Sequence, residues 1–151
     1  MLKGIDPLLT PELLKVLAEM GHGNEIVIAD ANFTAASLAA GKPLIYLSGV
    51  GIARTVKAVM SLLPLDQDVS QPIAYMHVSH QPAGWCSALQ KHIIDELQAD
   101  GHADESQCEA IERFAFYDRV KQAYAIVLTG ELQPYGNFIL KKGVICEPLA
   151  G

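Results

Sequence analysis

The sequence predicts an α/β fold: a single compact domain, residues 1–151, with a mixed, mostly parallel sheet covered by helices. Short β-rich apolar runs alternate along the chain with amphipathic stretches of helical period, a pattern typical of parallel strands joined by helices. The strand-like runs are nearly continuous in apolar residues, which indicates that both faces of the sheet are covered. At 151 residues, half of them hydrophobic, the chain is long enough to bury one substantial core.

The first helix, predicted over residues 10–21, has the clearest boundaries. Thr10 can cap its first turn, Pro11 suits that turn, and Gly21 suits the left-handed position that ends a helix. The remaining elements are predicted, in chain order, as strand 25–29, strand 43–49, helix 50–64, strand 72–79, helix 85–101, a strand within 108–114, helix 116–123, strand 124–130 and strand 137–145. The last two strands are expected to be antiparallel or to lie at an edge of the sheet. The side of helix 85–101 that is predicted to be apolar comprises Trp85, Ala88, Leu89, His92, Ile93 and Leu97.

Composition limits the classes of partner. The 17 acidic and 11 basic residues give a net charge of −6, which argues against a nucleic-acid partner, because phosphates attract basic surfaces. No run approaches the roughly 18 to 20 apolar residues of a membrane-spanning helix, so no membrane partner is expected. The mean hydropathy of +0.22 is high for a chain of this size. It predicts a large self-association surface and hence a homo-oligomer.

The expected location is the cytoplasm. Residues 1–6 lack the basic segment, followed by an apolar one, that begins a signal peptide. The three cysteines, Cys86, Cys108 and Cys146, are scattered and odd in number, which indicates reduced thiols rather than a disulfide framework.

Polar residues flank the first predicted strand on both sides. His22 lies between two glycines, which allow another group to approach closely, and histidine titrates near neutral pH. Asp30 follows the carboxyl end of the strand, a common place for ligand-binding groups in α/β proteins. Each has a plain alternative, His22 as a loop residue and Asp30 as a turn or cap residue. A five-residue strand spans about 17 Å, so the two side chains are expected to meet only across a subunit boundary, unless the flanking loops fold back.

Two later segments carry further candidates. In ERFAFYDR, Arg113 and Tyr117 could donate hydrogen bonds to a polyol whose C–H faces the aromatic rings cover; the alternative is core packing with surface arginines. In PYGN, Tyr135 and Asn137 could bind sugar hydroxyls; the alternative is a simple turn into the last strand.

No metal or cofactor is predicted. His77, His80 and Cys86 do not have the spacing of a common zinc site, and no second pair of ligands completes them. The sequence contains no G-x-G-x-x-G, P-loop, G-x-S-x-G or H-E-x-x-H motif. Nucleotide binding and the common hydrolase mechanisms therefore have no support.

Three segments, LLKVLAEMGHGNEIVIADANF, ERFAFYDRVKQAYAIVLTGE and YGNFILKKGV, together resemble the D-ribose pyranase / L-fucose mutarotase family, and its fucose branch more closely. They occur in the family's order and cover the first and last thirds of the chain. Arg113 and Gly136 favour the fucose branch, because ribose-branch members tend to have histidine and alanine there. The middle, roughly residues 61–106, matches the family poorly and could line or cover the sugar pocket.

The resemblance implies a cofactor-free enzyme that interconverts cyclic forms of a free monosaccharide, with L-fucose as the expected substrate. It implies that His22 is the proton donor. The implied sugar-binding residues are Asp30, Arg113, Tyr135, Gly136 and Asn137. We add Tyr117 as a secondary acid/base or a hydroxyl ligand. The resemblance also implies a ring-shaped oligomer, commonly a decamer in this family, with sites built between subunits. Such a ring would bring His22 of one subunit to Asp30 of another.

Two alternatives stay open at this point. One is D-ribose pyranase activity, the interconversion of pyranose and furanose forms. The other is a non-catalytic monosaccharide-binding or transport-accessory protein, which would keep the pocket without the chemistry. A purely structural protein would give no reason for these polar groups to occur together.

Overall fold

The fold is built on a six-stranded sheet in which five strands run in one direction and the last runs in the opposite direction. The computed structural model describes residues 1–151. Its elements are α1 (Pro11–Glu19), β1 (Glu25–Ala29), α2 (Ala35–Ala39), β2 (Leu44–Leu47), α3 (Ile52–Met60), β3 (Ile73–Met76), α4 (Ala88–Ala99), β4 (Cys108–Ile111), α5 (Arg113–Gln122), β5 (Ala125–Thr129) and β6 (Phe138–Lys141), with a 3-10 turn at Glu105–Gln107.

The strand order is β2-β5-β1-β6-β3-β4, which confirms the predicted mixed, mostly parallel sheet. The pairs β1–β5, β2–β5 and β3–β4 are parallel, whereas β6 pairs antiparallel with both β1 and β3. The prediction that the last two strands are antiparallel or at an edge is confirmed for β6, which is antiparallel, and wrong for β5, which is parallel to both its neighbours and lies inside the sheet. The first five strands end at one edge of the sheet, the carboxyl edge, where β6 begins. They start at the opposite edge, the amino edge, where β6 ends. These two names refer to the ends of the strands and not to the outermost strands, β2 and β4.

Helices cover both faces of the sheet, as the apolar strands predicted. One face packs against α1, α3 and α4 and contains the larger hydrophobic cluster. The other packs against α2 and α5 and contains a smaller cluster. Alternation along β1 shows the division, because Ile26 and Ile28 belong to the first cluster and Val27 and Ala29 to the second.

Local capping determines where three helices begin. The Thr10 hydroxyl accepts a hydrogen bond from the Leu13 backbone N–H at 3.2 Å, and Pro11 occupies the first turn of α1, as predicted. Ser87 and Gln90 form a capping box at the start of α4. The Glu112 carboxylate accepts bonds from the backbone N–H groups of the first turn of α5. These bonds hold the pKa of Glu112 below its ordinary value.

Several details of the predicted helices are wrong, one of which is the start of α5, at Arg113 rather than at residue 116. Helix α1 ends at Glu19, and its cap residue Met20 turns into an extended conformation (φ −56°, ψ 132°), so Gly21 does not end the helix in the left-handed region. The left-handed glycine is Gly23, with φ 85°, and its N–H donates to the Lys142 carbonyl at 2.8 Å. Sequence distinguishes poorly between two glycines that are two positions apart, because tertiary contacts decide which one turns.

The buried face of α4 also differs from the prediction. Its buried residues are Gln90, Ile93, Ile94 and Leu97. Trp85 lies before the helix and is exposed, as are Ala88 and His92. The buried face is shifted toward Gln90 and Ile94, and the Gln90 amide has hydrogen-bond partners inside the protein, which hydropathy does not reveal.

None of the five helices combines the length and the apolar character that a membrane crossing requires.

A close backbone crossing closes the amino edge. The N–H of Gly143, just after β6, donates to the Pro64 carbonyl at 2.7 Å, and Asp66 donates to the Lys141 carbonyl at 3.0 Å. A Cβ added at Gly143 would lie 2.3 Å from the Leu65 carbonyl oxygen and 2.8 Å from the Asp66 Cα. Glycine is required here because two stretches of backbone are in direct contact.

Gly143→Ala is therefore expected to lower the free energy of unfolding by about 2 to 3 kcal/mol, because backbone and not a flexible side chain must move. Urea unfolding measures this loss. Gly49→Ala is the matched control, since an added Cβ there would meet nothing within 4 Å. The control is expected to stay within about 0.5 kcal/mol of the wild type. Equal stability of the two variants would show that the crossing is looser than described.

Candidate functional site

A cavity of about 210 Å³ opens at the carboxyl edge of the sheet. Most of its walls are segments that follow β1, β3, β4 and β5, together with the turn that leads into β6. The lining residues are Asp30, Asn32, Phe33, Met76, Arg113, Tyr117, Pro134, Tyr135 and Asn137. The fold thus brings together five of the predicted site residues, from positions far apart in the sequence, in one place. His22 and Gly136 are not among the lining residues.

A reciprocal hydrogen-bonded pair forms the floor of the cavity. The Asn137 amide accepts from the Asp30 backbone N–H at 2.8 Å and donates to the Asp30 carboxylate at 2.9 Å. The second carboxylate oxygen accepts from the Asn32 N–H at 3.0 Å. Both Asp30 and Asn137 are buried. Because each end of the amide has a defined partner, the carboxylate is held in one orientation at the end of β1.

Burial raises the pKa of Asp30 above its ordinary value, and the hydrogen bonds from Asn32 and Asn137 partly offset this effect. The nearby Glu131 carboxylate raises it further. An ionised carboxylate offers about four lone-pair sites, and the bonds from the Asn32 backbone N–H and the Asn137 amide use two of them. The remaining sites can accept hydrogen bonds from the hydroxyl groups of a bound ligand.

The turn before β6 has strained backbone at the cavity wall. Tyr135 has φ 62°, in the left-handed region, which costs a residue other than glycine about 1 to 3 kcal/mol. Its carbonyl accepts a hydrogen bond from the Gln90 amide at 2.8 Å. Gly136 lies behind the wall, where an added Cβ would be 3.0 Å from a terminal carbon of Leu89. Gly136 therefore acts in packing the turn and does not line the cavity.

Arg113 and Tyr117, one turn apart on α5, form the opposite wall. The Arg113 Nε donates to the Tyr117 hydroxyl at 2.8 Å, which raises the pKa of the guanidinium further. The guanidinium carbon lies 5.5 Å from the Phe114 ring centre and 5.4 Å from that of Tyr117. Phe33 packs edge-on against Tyr117 with ring centres 5.6 Å apart. The wall combines a fixed cation, a phenol and aromatic surface, a combination suited to a polyol with C–H faces.

His22 lies at the amino edge, in a second polar cluster. Its Nε2 is 3.0 Å from the Asp66 carboxylate and 3.5 Å from that of Asp68. The Asp66 side chain is only 6% exposed, whereas that of His22 is 43% exposed. The hydrogen bond with Asp66 raises the pKa of His22 above its ordinary value of 6.5, and the same bond lowers the pKa of Asp66.

The same three side chains are also the group in the structure that could hold a metal ion, since their donor atoms lie within 4.8 Å of one another. Asp66 already bonds to the imidazole and to the Asp68 backbone N–H at 3.0 Å. This pairing explains the cluster without an ion, and exposed acidic groups commonly lie together. In this arrangement, the buried carboxylate of Asp66 favours the protonated form of the His22 imidazole.

The two polar regions lie on opposite edges of one sheet. His22 precedes β1 and Asp30 follows it, and the five-residue strand between them spans about 17 Å. As predicted, His22 and Asp30 do not meet within one chain. A complete site that contains both would need two copies of the protein, each presenting a different edge.

Sequence reasoning missed several residues of these regions, among them Asp66, Met76, Phe33 and Gln90. Asp66 and Met76 carry no local signal, because their neighbours come from distant segments. Gln90 did have a signal, since Ser87 and Gln90 have the Ser-x-x-Gln spacing of a capping box at a helix start. That spacing would have indicated a helix beginning at residue 88 and a glutamine turned back toward its first turn.

Comparison with known proteins places these features in a family. The sequence pattern of the RbsD / FucU transport protein family matches residues 3–145, a range that includes the middle segment 61–106. The L-fucose mutarotase of Glaesserella parasuis serovar 5 is 49% identical over 144 residues, which cover 95% of this chain and 96% of that protein. The fucose mutarotase of Homo sapiens is 45% identical over 149 residues, covering 95% of this chain and 94% of that protein.

A solved structure shares the fold. The fucose mutarotase of Streptococcus pneumoniae, crystallised in complex with L-fucose, is 41% identical to this chain and superposes with a TM-score of 0.85. The superposition covers 96% of this chain and all (100%) of that one.

The pairing of His22 with Asp66 gives a titration with a defined sign. Because its folded-state pKa is raised above 6.5, His22 stabilises the fold below that pH, and this contribution is lost as the pH rises through the folded-state pKa. Asp66→Asn is expected to lower the pKa of His22, as followed by NMR of its imidazole C–H signals. Asp68→Asn is the control, expected to have a smaller effect, because Asp68 is farther away and 77% exposed. Equal shifts in the two variants would contradict the assigned hydrogen bond.

Proposed function

This chain belongs to the RbsD / FucU transport protein family, and from that premise we propose that it is a cofactor-free mutarotase that interconverts the α and β anomers of free L-fucose. Relatives named L-fucose mutarotase match nearly its whole length, and the related Streptococcus pneumoniae enzyme was solved with L-fucose bound. The observation that carries the proposal is the carboxyl-edge cavity. Its lining includes hydrogen-bonding side chains that suit a sugar, those of Asp30, Arg113, Tyr117, Tyr135 and Asn137.

Mutarotation opens and recloses a hemiacetal. On opening, the anomeric hydroxyl loses its proton to a water molecule or an acid/base side chain, and another proton reaches the ring oxygen, so that the ring C–O bond breaks and an aldehyde forms. On closing, the hydroxyl adds to the other face of the aldehyde and the protons return. No atom is gained or lost, and the reaction therefore needs general acid–base catalysis and a fixed sugar.

We assign the proton donor to His22. Its hydrogen bond with Asp66 raises its pKa, so the protonated imidazole persists to higher pH than in an isolated histidine. Proton transfer to the ring oxygen leaves a neutral imidazole, which can take the proton back when the ring closes. Asp66 thereby sets the acid strength of the donor without contacting the sugar.

The carboxyl-edge residues bind the sugar. Asp30 accepts hydrogen bonds from sugar hydroxyls through its free lone pairs, and Arg113 donates hydrogen bonds from the opposite wall. Tyr117 accepts a bond from Arg113, which leaves its own phenol proton for a sugar oxygen, as a hydroxyl ligand or a secondary acid/base. Tyr135 and Asn137 complete the ring of contacts, with Gly136 packing the turn that carries them.

A homo-oligomer completes the site by supplying His22 from a neighbouring copy. An apolar groove of about 540 Å³ borders the amino edge beside the His22 cluster, lined by Leu2, Leu14, Leu17, Ala18, Leu62, Pro64, Lys142, Gly143 and Ile145. Leu2 is 64% and Ile145 88% exposed in the isolated chain. Apolar surface of this extent beside an incomplete site supports burial against a second copy, in a ring-like oligomer that we take to be a decamer.

We place the protein in the cytoplasm. Its three cysteines are unpaired in the fold, which suits a reducing compartment. The partner of the reaction is the monosaccharide itself, with no role for nucleic acid or membrane.

The test of the proposal is NMR measurement of exchange between the anomers of L-fucose, with D-ribose and D-galactose alongside. His22→Ala is expected to slow catalysed exchange by about 10²- to 10⁴-fold, because general acid–base catalysis is lost, while sugar binding persists. His92→Ala is the matched control, since His92 is an exposed helix residue that pairs with Glu96, and it is expected to keep full activity.

Three results would contradict the proposal. Undiminished exchange in a folded His22→Ala variant would remove His22 from its role. Saturable sugar binding by the wild type without faster exchange would favour a binding protein. Faster pyranose–furanose interconversion of D-ribose, with no effect on L-fucose anomers, would favour a pyranase.

A further inference from the structure

The side chain of Gln90 on α4 is completely buried, at 0% exposure, although it does not line the cavity. A buried amide requires partners for its donors and its acceptor, and glutamine is rarely found so deep in a protein. Three bonds satisfy it. Its Nε2 donates to the Met76 carbonyl at 2.7 Å and to the Tyr135 carbonyl at 2.8 Å, and its Oε1 accepts from the Ser87 N–H at 3.0 Å.

The orientation of this amide is fixed by its partners. Rotation that exchanged Nε2 and Oε1 would place an oxygen against two carbonyl oxygens and an NH₂ group against an N–H. Both donors of Gln90 are therefore committed to two separate backbone segments, the end of β3 and the turn before β6.

Both acceptors belong to residues of the cavity wall. Met76 lines the cavity, and its N–H donates to the Asn137 carbonyl at 3.2 Å. Tyr135 also lines the cavity, and its backbone lies in the left-handed region at φ 62°. A tyrosine keeps this strained conformation only where its surroundings stabilise it. Gln90 is thus bonded to the two segments that flank Asn137, and it reaches them from α4, on the opposite face of the sheet from α5.

The helix-capping role of Gln90 does not account for these bonds. The capping box uses the Oε1 of Gln90 and the hydroxyl of Ser87, which accepts from the Gln90 N–H at 3.1 Å. The two Nε2 donors contribute nothing to the cap. A second function is therefore separable from the first by substitution.

We propose that Gln90 is a positioning residue, which holds Tyr135 and Asn137 in their sugar-binding geometry through hydrogen bonds to the Tyr135 and Met76 carbonyls. The proposal rests on the proposed function for the identity of the ligand. Its physical core is independent of that function, because it concerns the conformation of the turn in the sugar-free protein.

Two variants separate the donors from the cap. Gln90→Glu keeps the length and the acceptor for the Ser87 N–H but removes the amide donors, and Gln90→Met removes all the polar atoms at similar volume. Ser87→Ala is the matched control, because it removes the cap hydroxyl and leaves both Nε2 bonds in place.

Anomer exchange of L-fucose provides the kinetic readout in all three proteins. Both Gln90 variants are expected to raise KM about tenfold or more while kcat changes little, because displaced binding groups weaken the sugar complex. Ser87→Ala is expected to lower thermal stability without raising KM. An unchanged KM in both Gln90 variants, or an equal rise in Ser87→Ala, would overturn the proposal.

A second readout needs no activity. In protein labelled with 3-fluorotyrosine, the Tyr135 signal, assigned with Tyr135→Phe, is expected to shift or broaden in the Gln90 variants and to stay in place in Ser87→Ala. An unmoved signal would overturn the positioning role. A moved signal in a protein whose wild type neither binds nor interconverts sugar would support that role and contradict the proposed function instead.

The wild type offers a third test should both Gln90 variants fail to fold. Titration with L-fucose is expected to shift the side-chain NH₂ signals of Gln90, because they bond to a wall that contacts the sugar. Unchanged Gln90 signals under saturating sugar, with Tyr135 signals that move, would overturn the proposal.

Discussion

The direction of β6 is the constraint on which both polar regions depend. Because this strand runs against its neighbours β1 and β3, it begins at the carboxyl edge and ends at the amino edge. At its start, Asn137 accepts a hydrogen bond from the Asp30 N–H. At its end, the Lys141 carbonyl accepts from the Asp66 N–H and the Lys142 carbonyl accepts from the Gly23 N–H. A parallel strand in that place would reverse these contacts. One buried apolar strand therefore connects the carboxyl-edge cavity to the His22 cluster.

The two regions have opposite electrostatic characters that suit separate roles. Asp30 is buried and held by amides, and its burial raises its pKa. The pKa of Asp66 is lowered because an imidazole accompanies it, and that of His22 is raised by the same contact. In the proposed reaction, binding and proton transfer are separated in this way within each chain and combined only between chains. If the proposal is correct, catalysis depends on assembly, since a lone subunit would bind sugar without the histidine that donates the proton.

Local signals in the sequence predicted local structure well. Thr10 and Pro11 fixed the start of α1, the continuous apolar run gave β1 with its observed bounds, and the alternation of elements gave the α/β class. Such local signals do not predict contacts between segments that are distant in the sequence. The interior position of β6, the pairing of His22 with Asp66 and the burial of Gln90 all depend on which strands become neighbours. Sequence motifs indicate Asp30, Arg113 and Asn137 as candidate site residues, whereas the fold shows that all three line one cavity.

In the proposed mechanism, each complete site takes His22 from one copy and the sugar-binding residues from another. Mixing two inactive variants, His22→Ala and Arg113→Ala, after joint unfolding and refolding tests it most directly. If sites are shared, random assembly gives about a quarter of the sites an intact His22 and an intact Arg113, and L-fucose anomer exchange recovers to about that fraction of wild type. Exchange that stays at the level of the separate variants, in assemblies shown to contain both chains, would contradict the account.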